Sequence, residues 1–174
     1  MPVTVRDARS VPRDRDWIRA VYRDYLSELS VSKTGLFPAL GEWEARESEF
    51  LAGWFADSAA YPFVILDDGH RAGFALVSRP PAFPRTTVNY RMSEFFIVSD
   101  SRRRGVGAFA VSLLFNRFAG DWEVVEDEQN RPALQFWRRV ISRHTAGRYA
   151  ETRDGGEVRH RFRTEAHPSA RGTS

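Results

Sequence analysis

The chain has 174 residues, 42% of them hydrophobic and 13% aromatic, which is enough apolar material for one ordinary folded domain. The formal net charge is only +3, so a nucleic-acid partner is disfavoured despite an isoelectric point near 9.7. Cysteine is absent, which excludes disulfides, thiolate metal sites and a cysteine nucleophile. The sequence shows no signal-peptide core and no apolar run long enough to span a membrane, so we expect a cytoplasmic protein without a membrane partner.

The first half of the chain predicts a strand, two helices and a β-hairpin. Valines alternate with polar residues at 3–6, which indicates a short strand. A helix begins near Pro12, with Asp14 or Asp16 as its cap, and a second helix is predicted over 42–55. Apolar runs at 63–66 and 72–78 flank a turn sequence at 67–70 and predict two paired strands. A proline-rich loop is predicted over 79–84.

The second half predicts a long strand, a helix, a strand, a helix and a final hairpin. The strand over 88–98 leads into a helix that begins at Gly107 and ends at Gly120. A strand over 122–125 precedes a helix capped by Asn130, and two strands flank the glycine turn at 154–156. This order predicts an α/β fold, an α+β mixed sheet with helices on both faces. We expect a single domain over residues 1–166 and a polar, mobile tail over 167–174.

The stretch from Met92 to Gly107 joins an acidic strand to a basic loop and the start of a helix. Glu94 precedes the apolar run 95–98, and three arginines lead into Gly105 and Gly107. Backbone N–H groups and the positive end of a helix dipole converge at such a loop, which suits a phosphate. A dinucleotide fingerprint is not met, because Ala110 stands where a third glycine is needed. We therefore predict a coenzyme phosphate at the loop and proton transfer at Glu94.

Two motifs resemble those of the GNAT family, the Gcn5-related N-acetyltransferases. Residues 102–107, Arg-Arg-Arg-Gly-Val-Gly, resemble the acyl-CoA loop of the family. Residues 130–137, Asn-Arg-Pro-Ala-Leu-Gln-Phe-Trp, resemble its later Asn-x-x-Ala motif. The resemblance is sharpest over 92–141 and closest to a group of uncharacterised predicted acetyltransferases. It implies the acyl-CoA N-acyltransferase fold, a mostly antiparallel sheet that splays between its fourth and fifth strands.

The resemblance also implies a site for acetyl-CoA, the acyl donor, in the gap between those strands. Pantetheine would pair with the backbone of Phe96 and Val98, glycine would let the loop approach the pyrophosphate, and the Asn130 amide would reach the coenzyme. The expected coenzyme-binding residues are Phe96, Ile97, Val98, Arg102, Arg103, Arg104, Gly105, Val106, Gly107, Ala108, Asn130 and Ala133. Tyr22 and Tyr25 on the first helix are expected to line the acceptor pocket. No metal is expected, because the histidines lack metal-ligand spacing.

Acetyl transfer to a primary amine needs a base, and Glu94 is the candidate. Strand alternation places Glu94 on one face with Met92 and Phe96, where apolar neighbours would favour its protonated form. The backbone N–H of Val98 would polarise the thioester carbonyl. Trp137 stands where many family members carry a tyrosine acid. Tyr149 and His144 are candidate replacements, and a thiol with a pKa of about 8.5 can also leave without an acid.

Several alternatives stay open on the sequence alone. Glu94 is merely a structural carboxylate if it pairs with an arginine such as Arg91 or Arg117. The tryptophan at 137 suggests a second reading, a non-catalytic acyl-CoA-binding or regulatory module of the same fold. A third reading, nucleic-acid binding, depends only on the arginines, and the interleaved acids disfavour it. The acceptor, a small-molecule amine or a protein amine, and a possible homodimer are equally open.

Overall fold

The structure, a computed structural model, describes residues 2–32, 51–80 and 87–166, and in those ranges it contains seven strands, four α-helical segments and one short 3₁₀ helix (Ser99–Ser101). The strands are β1 (Val3–Asp7), β2 (Ala60–Asp67), β3 (His70–Ser78), β4 (Tyr90–Ile97), β5 (Gly120–Asp127), β6 (Tyr149–Asp154) and β7 (Glu157–Thr164). The helices are α1 (Pro12–Ser32), α2, described at 51–56, α3 (Val106–Arg117) and α4 (Arg131–Thr145). No helix in the described ranges is long and apolar enough to cross a membrane. The beginning of the second predicted helix, most of the proline-rich loop and the predicted tail lie outside the described residues.

All seven strands form one mixed sheet in the order β1-β2-β3-β4-β5-β7-β6. Neighbouring strands are antiparallel except for β4 and β5, which are parallel and are joined by the crossover helix α3. β4 and β5 pair only through Tyr90 with Trp122 and Arg91 with Glu123. Beyond those residues the two strands separate, and a V-shaped cleft opens between them. The predicted sheet and its splay between the fourth and fifth strands are therefore confirmed.

Apolar side chains fill the space on both faces of the sheet. Helices α3 and α4 cover one face, where Phe115 and Trp122 are fully buried. Helices α1 and α2 cover the other face, where Tyr22 and Phe74 are buried. Residues from both faces of the sheet line the cleft, since α1 contributes from one face and α3 and α4 contribute from the other.

The carboxylate of Asp14, one of the two predicted helix caps, lies within the first turn of α1 and joins the helix to the sheet. Asp14 lies in the first turn, is fully buried and accepts hydrogen bonds of 2.8 Å from both Arg6 on β1 and Arg71 on β3. Burial raises the pKa of Asp14, but the bonds from Arg6 and Arg71 outweigh it and leave the pKa below its usual value. The helix that carries the first predicted acceptor residues is thereby fixed to two strands.

Helix α3 ends earlier than the sequence predicts. Its C-cap is Phe118, whose N–H donates to the Leu114 carbonyl, and Gly120 is the first residue of β5 instead of the helix terminator. A Cβ on Gly120 would lie 2.7 Å from Oδ1 of Asn89, and its φ is +151°. Glycine is needed here because Asn89 lies so close to the start of β5.

A buried histidine joins β7 to β6. His160 is fully buried, and its Nε2 lies 2.9 Å from Oε2 of Glu151, which also accepts 2.8 Å bonds from Arg138 on α4. Its Nδ1 has no hydrogen-bond partner within the ranges that the structure describes. Burial lowers the pKa of His160, although the bond to Glu151 acts in the opposite direction. The bond from Arg138, followed by that from His160, lowers the pKa of Glu151 to about 2.

Acidification should destabilise the fold through His160. A histidine whose folded pKa is below its unfolded value of about 6.5 stabilises the fold fully above that pH, and the contribution is lost as the pH falls below it. The urea midpoint should drop between pH 7.5 and 5.5, and the drop should be smaller in His160→Gln. Glu151 does not contribute in this window, because its unfolded pKa is 4.5 and its folded pKa is lower. His70→Gln, at the exposed first residue of β3, should keep the full drop, and an equal drop in His160→Gln would contradict the assignment.

Candidate active site

A cavity of about 1100 Å³ fills the gap between β4 and β5. Its described lining comes from α1, β4, the loop before α3, the first turn of α3, β5, the loop after β5, α4 as far as Arg139 and the first residue of β7. Ligand pockets commonly measure about 300–1,000 Å³, so this cavity is large enough for the reactive arm of a coenzyme together with an acceptor. The lining includes most of the predicted site residues.

The N-terminus of α3 opens onto this cavity without a side-chain cap. Gly105 is the N-cap residue, has a left-handed backbone with φ of +80°, and makes no capping hydrogen bond. The first turn of the helix consists of Val106, Gly107 and Ala108, whose N–H groups have no acceptor within the helix. Gly105, Gly107 and Ala108 line the cavity. The first turn of α3 therefore presents backbone N–H groups at the cavity, an arrangement that suits an anion.

Gly107 has a packing role as well. A Cβ at this position would lie 3.3 Å from Cγ1 of Ile97 and 3.4 Å from Cε2 of Phe136. These contacts are tight, so the lack of a side chain lets α3 start close to both β4 and α4. Phe136 in turn stacks on Phe95, with ring centroids 5.6 Å apart. The helix N-terminus is thus held at the wall of the cleft by packing.

The three consecutive arginines have three different environments. Arg102 lies on the cleft wall, but its Nε donates to the Ile97 carbonyl at 2.7 Å and its Nη2 donates to Glu28 at 2.7 and 2.8 Å. Arg104 lies outside the main cleft and pairs with Asp67 at 3.4 Å. Arg103 lines the cleft, and the structure shows no ion pair for it among the described residues. Of the three, Arg103 is the guanidinium best placed to meet an anionic ligand.

A β-bulge turns Glu94 away from Met92. Glu94 pairs with Leu76 of β3 while Met92 pairs with the next residue, Val77, so Ser93 is inserted between them. Met92 consequently packs with the core under α3 and α4, whereas Phe96 packs under α1. The prediction that Glu94 shares a face with Phe96 is confirmed, and the prediction that it shares one with Met92 is wrong. Glu94 therefore lies on the α1 side of the sheet with Phe96, where it lines the cleft, and the bulge places Met92 on the other side.

Glu94 accepts a hydrogen bond from a tyrosine of α1. The hydroxyl of Tyr25 donates to Oε2 of Glu94, and both residues line the cleft. Tyr22 is 2% exposed and belongs mainly to the core, where its ring packs against Tyr25 and Trp54. The structure therefore brings both predicted acceptor-side tyrosines to the cleft, and Tyr25 is the one bonded to the candidate base.

The backbone groups of β4 that face the cleft differ from those predicted. The Val98 N–H donates to the Ala72 carbonyl at 2.9 Å, so its expected role in polarising a thioester carbonyl is wrong. Hydrogen-bonded pairs alternate along an antiparallel ladder, so Phe96 also directs its backbone groups toward β3. Phe95 and Ile97 direct their backbone groups toward the cleft instead.

The two alternative arginine partners of Glu94 are engaged elsewhere. Arg91 donates to Glu123 at 2.7 and 3.0 Å, and Glu123 is fully buried. Arg117 lies over the rings of Phe63 and Phe118. Neither structural ion pair that the sequence left open for Glu94 is therefore formed by these arginines.

Asn130 lies at the start of α4 and combines a cap with a contact to the opposite strand of the cleft. Its side-chain oxygen accepts from the Ala133 N–H at 3.5 Å, and its Nδ2 donates to Glu126 at 3.1 Å. Glu126, Asn130 and Ala133 all line the cleft. The sequence analysis missed Glu126, although its place at the end of an apolar strand and four residues before Asn130 was a usable signal.

Neither candidate general acid from the sequence, Tyr149 or His144, lies in the described lining of the cleft. Trp137 is buried beside Phe95 at the wall of the cleft. Tyr149 packs against His160, and His144 packs against Phe115; neither contributes to the described lining. The prediction that Tyr149 or His144 replaces the acid is therefore wrong. The described residues also contain no cluster suited to hold a metal ion.

A parallel strand pair that separates at an uncapped helix N-terminus defines the architecture of an acyl-CoA N-acyltransferase. The comparison with protein families agrees, since residues 18–141 match the model of the "Acetyltransferase (GNAT) family". The match covers more than half of the chain, so the protein belongs to the GNAT family and is an acetyltransferase. The predicted fold and enzyme class are confirmed. A comparison with curated protein sequences found no match.

Solved acetyltransferase structures share the fold of this chain. An acetyltransferase from Thermus thermophilus has a TM-score of 0.68 at 17% identity, with 94% of this chain and 97% of that one covered. The PaiA N-acetyltransferase from Thermoplasma acidophilum, in complex with coenzyme A, has a TM-score of 0.64 at 10% identity, with 94% and 99% covered. The ribosomal-protein-S18-alanine N-acetyltransferase from Escherichia coli has a TM-score of 0.60 at 11% identity, with 99% and 100% covered. At these identities the likeness concerns the fold.

Proposed function

We propose that the protein transfers the acetyl group of acetyl-CoA directly to a primary amine, with Glu94 as the general base. The observation that carries the proposal is the position of Glu94. Its carboxylate lies in the same cleft as the uncapped N-terminus of α3, so a proton acceptor and an anion-binding site share one cavity. The acceptor is a small-molecule amine or the amine of a protein. The ribosomal-protein and PaiA enzymes, both N-acetyltransferases by name, support the amine class.

The coenzyme fits the cradle that the structure provides. The N–H groups from Val106 to Ala108 face the pyrophosphate, and Arg103 adds a cation beside them. The backbone groups of Phe95 and the N–H of Ile97 offer hydrogen bonds for the pantetheine arm, whereas the Ile97 carbonyl already accepts from Arg102. Acetyl-CoA, when bound, would supply an acetyl thioester to the cleft. Side chains of the protein orient the amine and accept its proton.

The cleft is lined by charges of both signs, and Arg102 of the loop is paired with Glu28 of α1. The lining arginines lie on the loop and on α4, where they suit a polyphosphate: Arg102, Arg103 and Arg139. The lining carboxylates lie on α1, β4, β5 and β7: Glu28, Glu94, Glu126, Asp127 and Glu157. An amine approaches as an ammonium ion, which carboxylates attract, and it attacks only after losing a proton. Glu94 takes that proton, directly or through a water molecule.

Two measurements on the wild-type protein test the proposal. Calorimetry with acetyl-CoA should show binding at sub-millimolar concentration, and a panel of primary amines should release free CoA thiol in the presence of at least one member. The panel should include polyamines, aminoglycosides, amino acids and peptides with a free N-terminus. Absence of binding overturns the proposal, whereas binding without thiol release from any amine indicates a non-catalytic acyl-CoA-binding module.

Arg103→Gln should weaken acetyl-CoA binding by about three- to tenfold without lowering stability. Arg103 is exposed and has no ion pair among the described residues, so its charge is available for a phosphate. The affinity of the variant should also fall less steeply with salt, since one cation is missing. Arg104→Gln is the matched control, because its guanidinium faces Asp67 outside the cleft. Equal loss in both variants would mean that the loss reflects overall charge instead of a phosphate contact.

A further inference from the structure

The ring of Tyr25 packs within an aromatic cluster, and this packing fixes the direction in which its hydroxyl points. Its ring centroid lies 5.5 Å from that of Tyr22, 5.4 Å from that of Phe74 and 5.5 Å from that of Phe96. The Phe74 contact is edge-to-face, at 86°. Rings packed on three sides have little freedom to rotate their polar end elsewhere. The only polar atom of this side chain is therefore fixed at the cleft, where Glu94 lies.

The hydrogen bond from Tyr25 to Glu94 has a defined direction. Burial raises the pKa of Tyr25 well above its usual value, and the charge of Glu94 raises it further. The phenol therefore stays protonated at neutral pH and acts as donor, with the carboxylate as acceptor. A donor to the charged form of an acid favours that form. The bond also fixes the carboxylate at one oxygen, which sets how the group is presented to the acceptor amine.

The helix that carries Tyr25 is tied to the phosphate loop one turn later. Glu28 follows Tyr25 by three residues, so the two side chains emerge from the same side of α1. Glu28 bonds to Arg102, whose guanidinium also lies 5.4 Å from the Phe96 ring. Phe96 is one of the three rings around Tyr25. The base, its hydrogen-bond donor and the anion-binding loop are thus held by one continuous set of contacts.

We propose that Tyr25 is the positioning residue of the base, which orients Glu94 and keeps its carboxylate ionised in the free enzyme. The proposal builds on the function proposed for Glu94 and replaces the expectation that Tyr25 is an acceptor contact. Tyr25 touches Glu94 and acts on the reaction through it.

A double-mutant cycle distinguishes the two roles of Tyr25. Tyr25→Phe should lower kcat about tenfold at pH 7 with the KM for acetyl-CoA unchanged. In the pH profile of kcat, the acidic limb of this variant should move to higher pH by about one unit or more. In a Glu94→Gln background the same change should cost less than about twofold, because the group that Tyr25 acts on is gone. A direct acceptor contact would instead cost the same in both backgrounds and raise the KM for the amine, which overturns the proposal.

Tyr90→Phe is the control for the removal of a hydroxyl. It makes the same chemical change on the strand that carries Glu94, but its ring packs on Phe118 and Trp122 away from the cleft. The pH profile of this variant should equal that of the wild type. A shifted profile in Tyr90→Phe would show that loss of any hydroxyl from this sheet moves the profile, and would overturn the assignment to Tyr25.

A second measurement requires neither catalytic turnover nor a correctly folded Tyr25→Phe variant. Ultraviolet titration of the tyrosines in the wild type and in Glu94→Gln should show the last phenol titrating at lower pH in the variant, because the charge of Glu94 is removed. Identical titrations overturn the proposal. If no amine releases thiol from the wild type but the titrations differ, the proposed function fails while the link between Tyr25 and Glu94 stands.

Discussion

Glu94→Gln should bind acetyl-CoA with wild-type affinity and transfer the acetyl group about 10²- to 10⁴-fold more slowly near neutral pH, the usual contribution of a general base. The side chain keeps its size and can still accept a hydrogen bond from Tyr25, so the loss is chemical rather than structural. Without a base, only amine that is already neutral reacts. The rate of the variant should therefore rise tenfold per pH unit, and the deficit should narrow toward the pKa of the amine. The rate of thiol release, measured from pH 6 to 10, tests this.

Glu126→Gln is the matched control, since it makes the same change in the other strand of the cleft. The Glu126 carboxylate already accepts from the Asn130 amide and from the Asp127 N–H at 3.0 Å. Its loss should disturb the start of α4 and leave the slope of rate against pH close to that of the wild type. If the tenfold rise per pH unit appears in Glu126→Gln and is absent from Glu94→Gln, the base is Glu126.

The sheet and the phosphate loop were predictable because their signals are local. The apolar run at 95–98, the glycines at 105 and 107 and the helical repeat that follows occupy neighbouring positions in the chain. The asparagine before α4 is equally local, since a cap acts on the next turn. The helix end was misplaced because Gly120 serves a close contact with Asn89, a residue distant in sequence, and glycine has the same appearance in both roles.

The orientation of Glu94 was only partly predictable because alternation assumes an unbroken register. The bulge at Ser93 arises from the pairing of β4 with β3, and the sequence of neither strand alone indicates it. The same limit applies to Val98, whose N–H continues the ladder past the last residue assigned to β4. A register is a property of two strands, so a single strand cannot specify it.

The partners that complete the site are far apart in the chain. Tyr25 meets Glu94 across 69 positions, and Glu28 meets Arg102 across 74. The sequence analysis identified Tyr25 as a cleft residue from the family resemblance, but nothing in its surroundings indicated a bond to the base. Such pairs depend on the packing of α1 against β4, which follows from the assembled sheet.

Gly105→Ala should raise the Kd for acetyl-CoA about tenfold or more. Gly105 adopts φ of +80° at the N-cap of α3, and apart from its two chain neighbours no described residue has an atom within 4 Å of an added Cβ. Because Gly105 lines the cleft, we expect the methyl group to occupy part of the space through which a pyrophosphate approaches the N–H groups of α3. The left-handed backbone adds about 1–2 kcal/mol of strain, which the loop relieves by rotating those N–H groups away. Calorimetry with acetyl-CoA measures the change.

Gly155→Ala separates the effect on binding from the effect on the backbone. Gly155 lies in the β6–β7 turn with φ of +58°, and in the part of the chain that the structure describes an added Cβ would meet nothing within 4 Å beyond its own chain neighbours. Both variants should lose similar stability in urea, but only Gly105→Ala should lose affinity for acetyl-CoA. S-acetylpantetheine, which lacks the pyrophosphate, should bind Gly105→Ala and the wild type equally. Equal weakening of both ligands would move the effect of Gly105 from the phosphate cradle to the pantetheine arm and contradict the assignment of the loop.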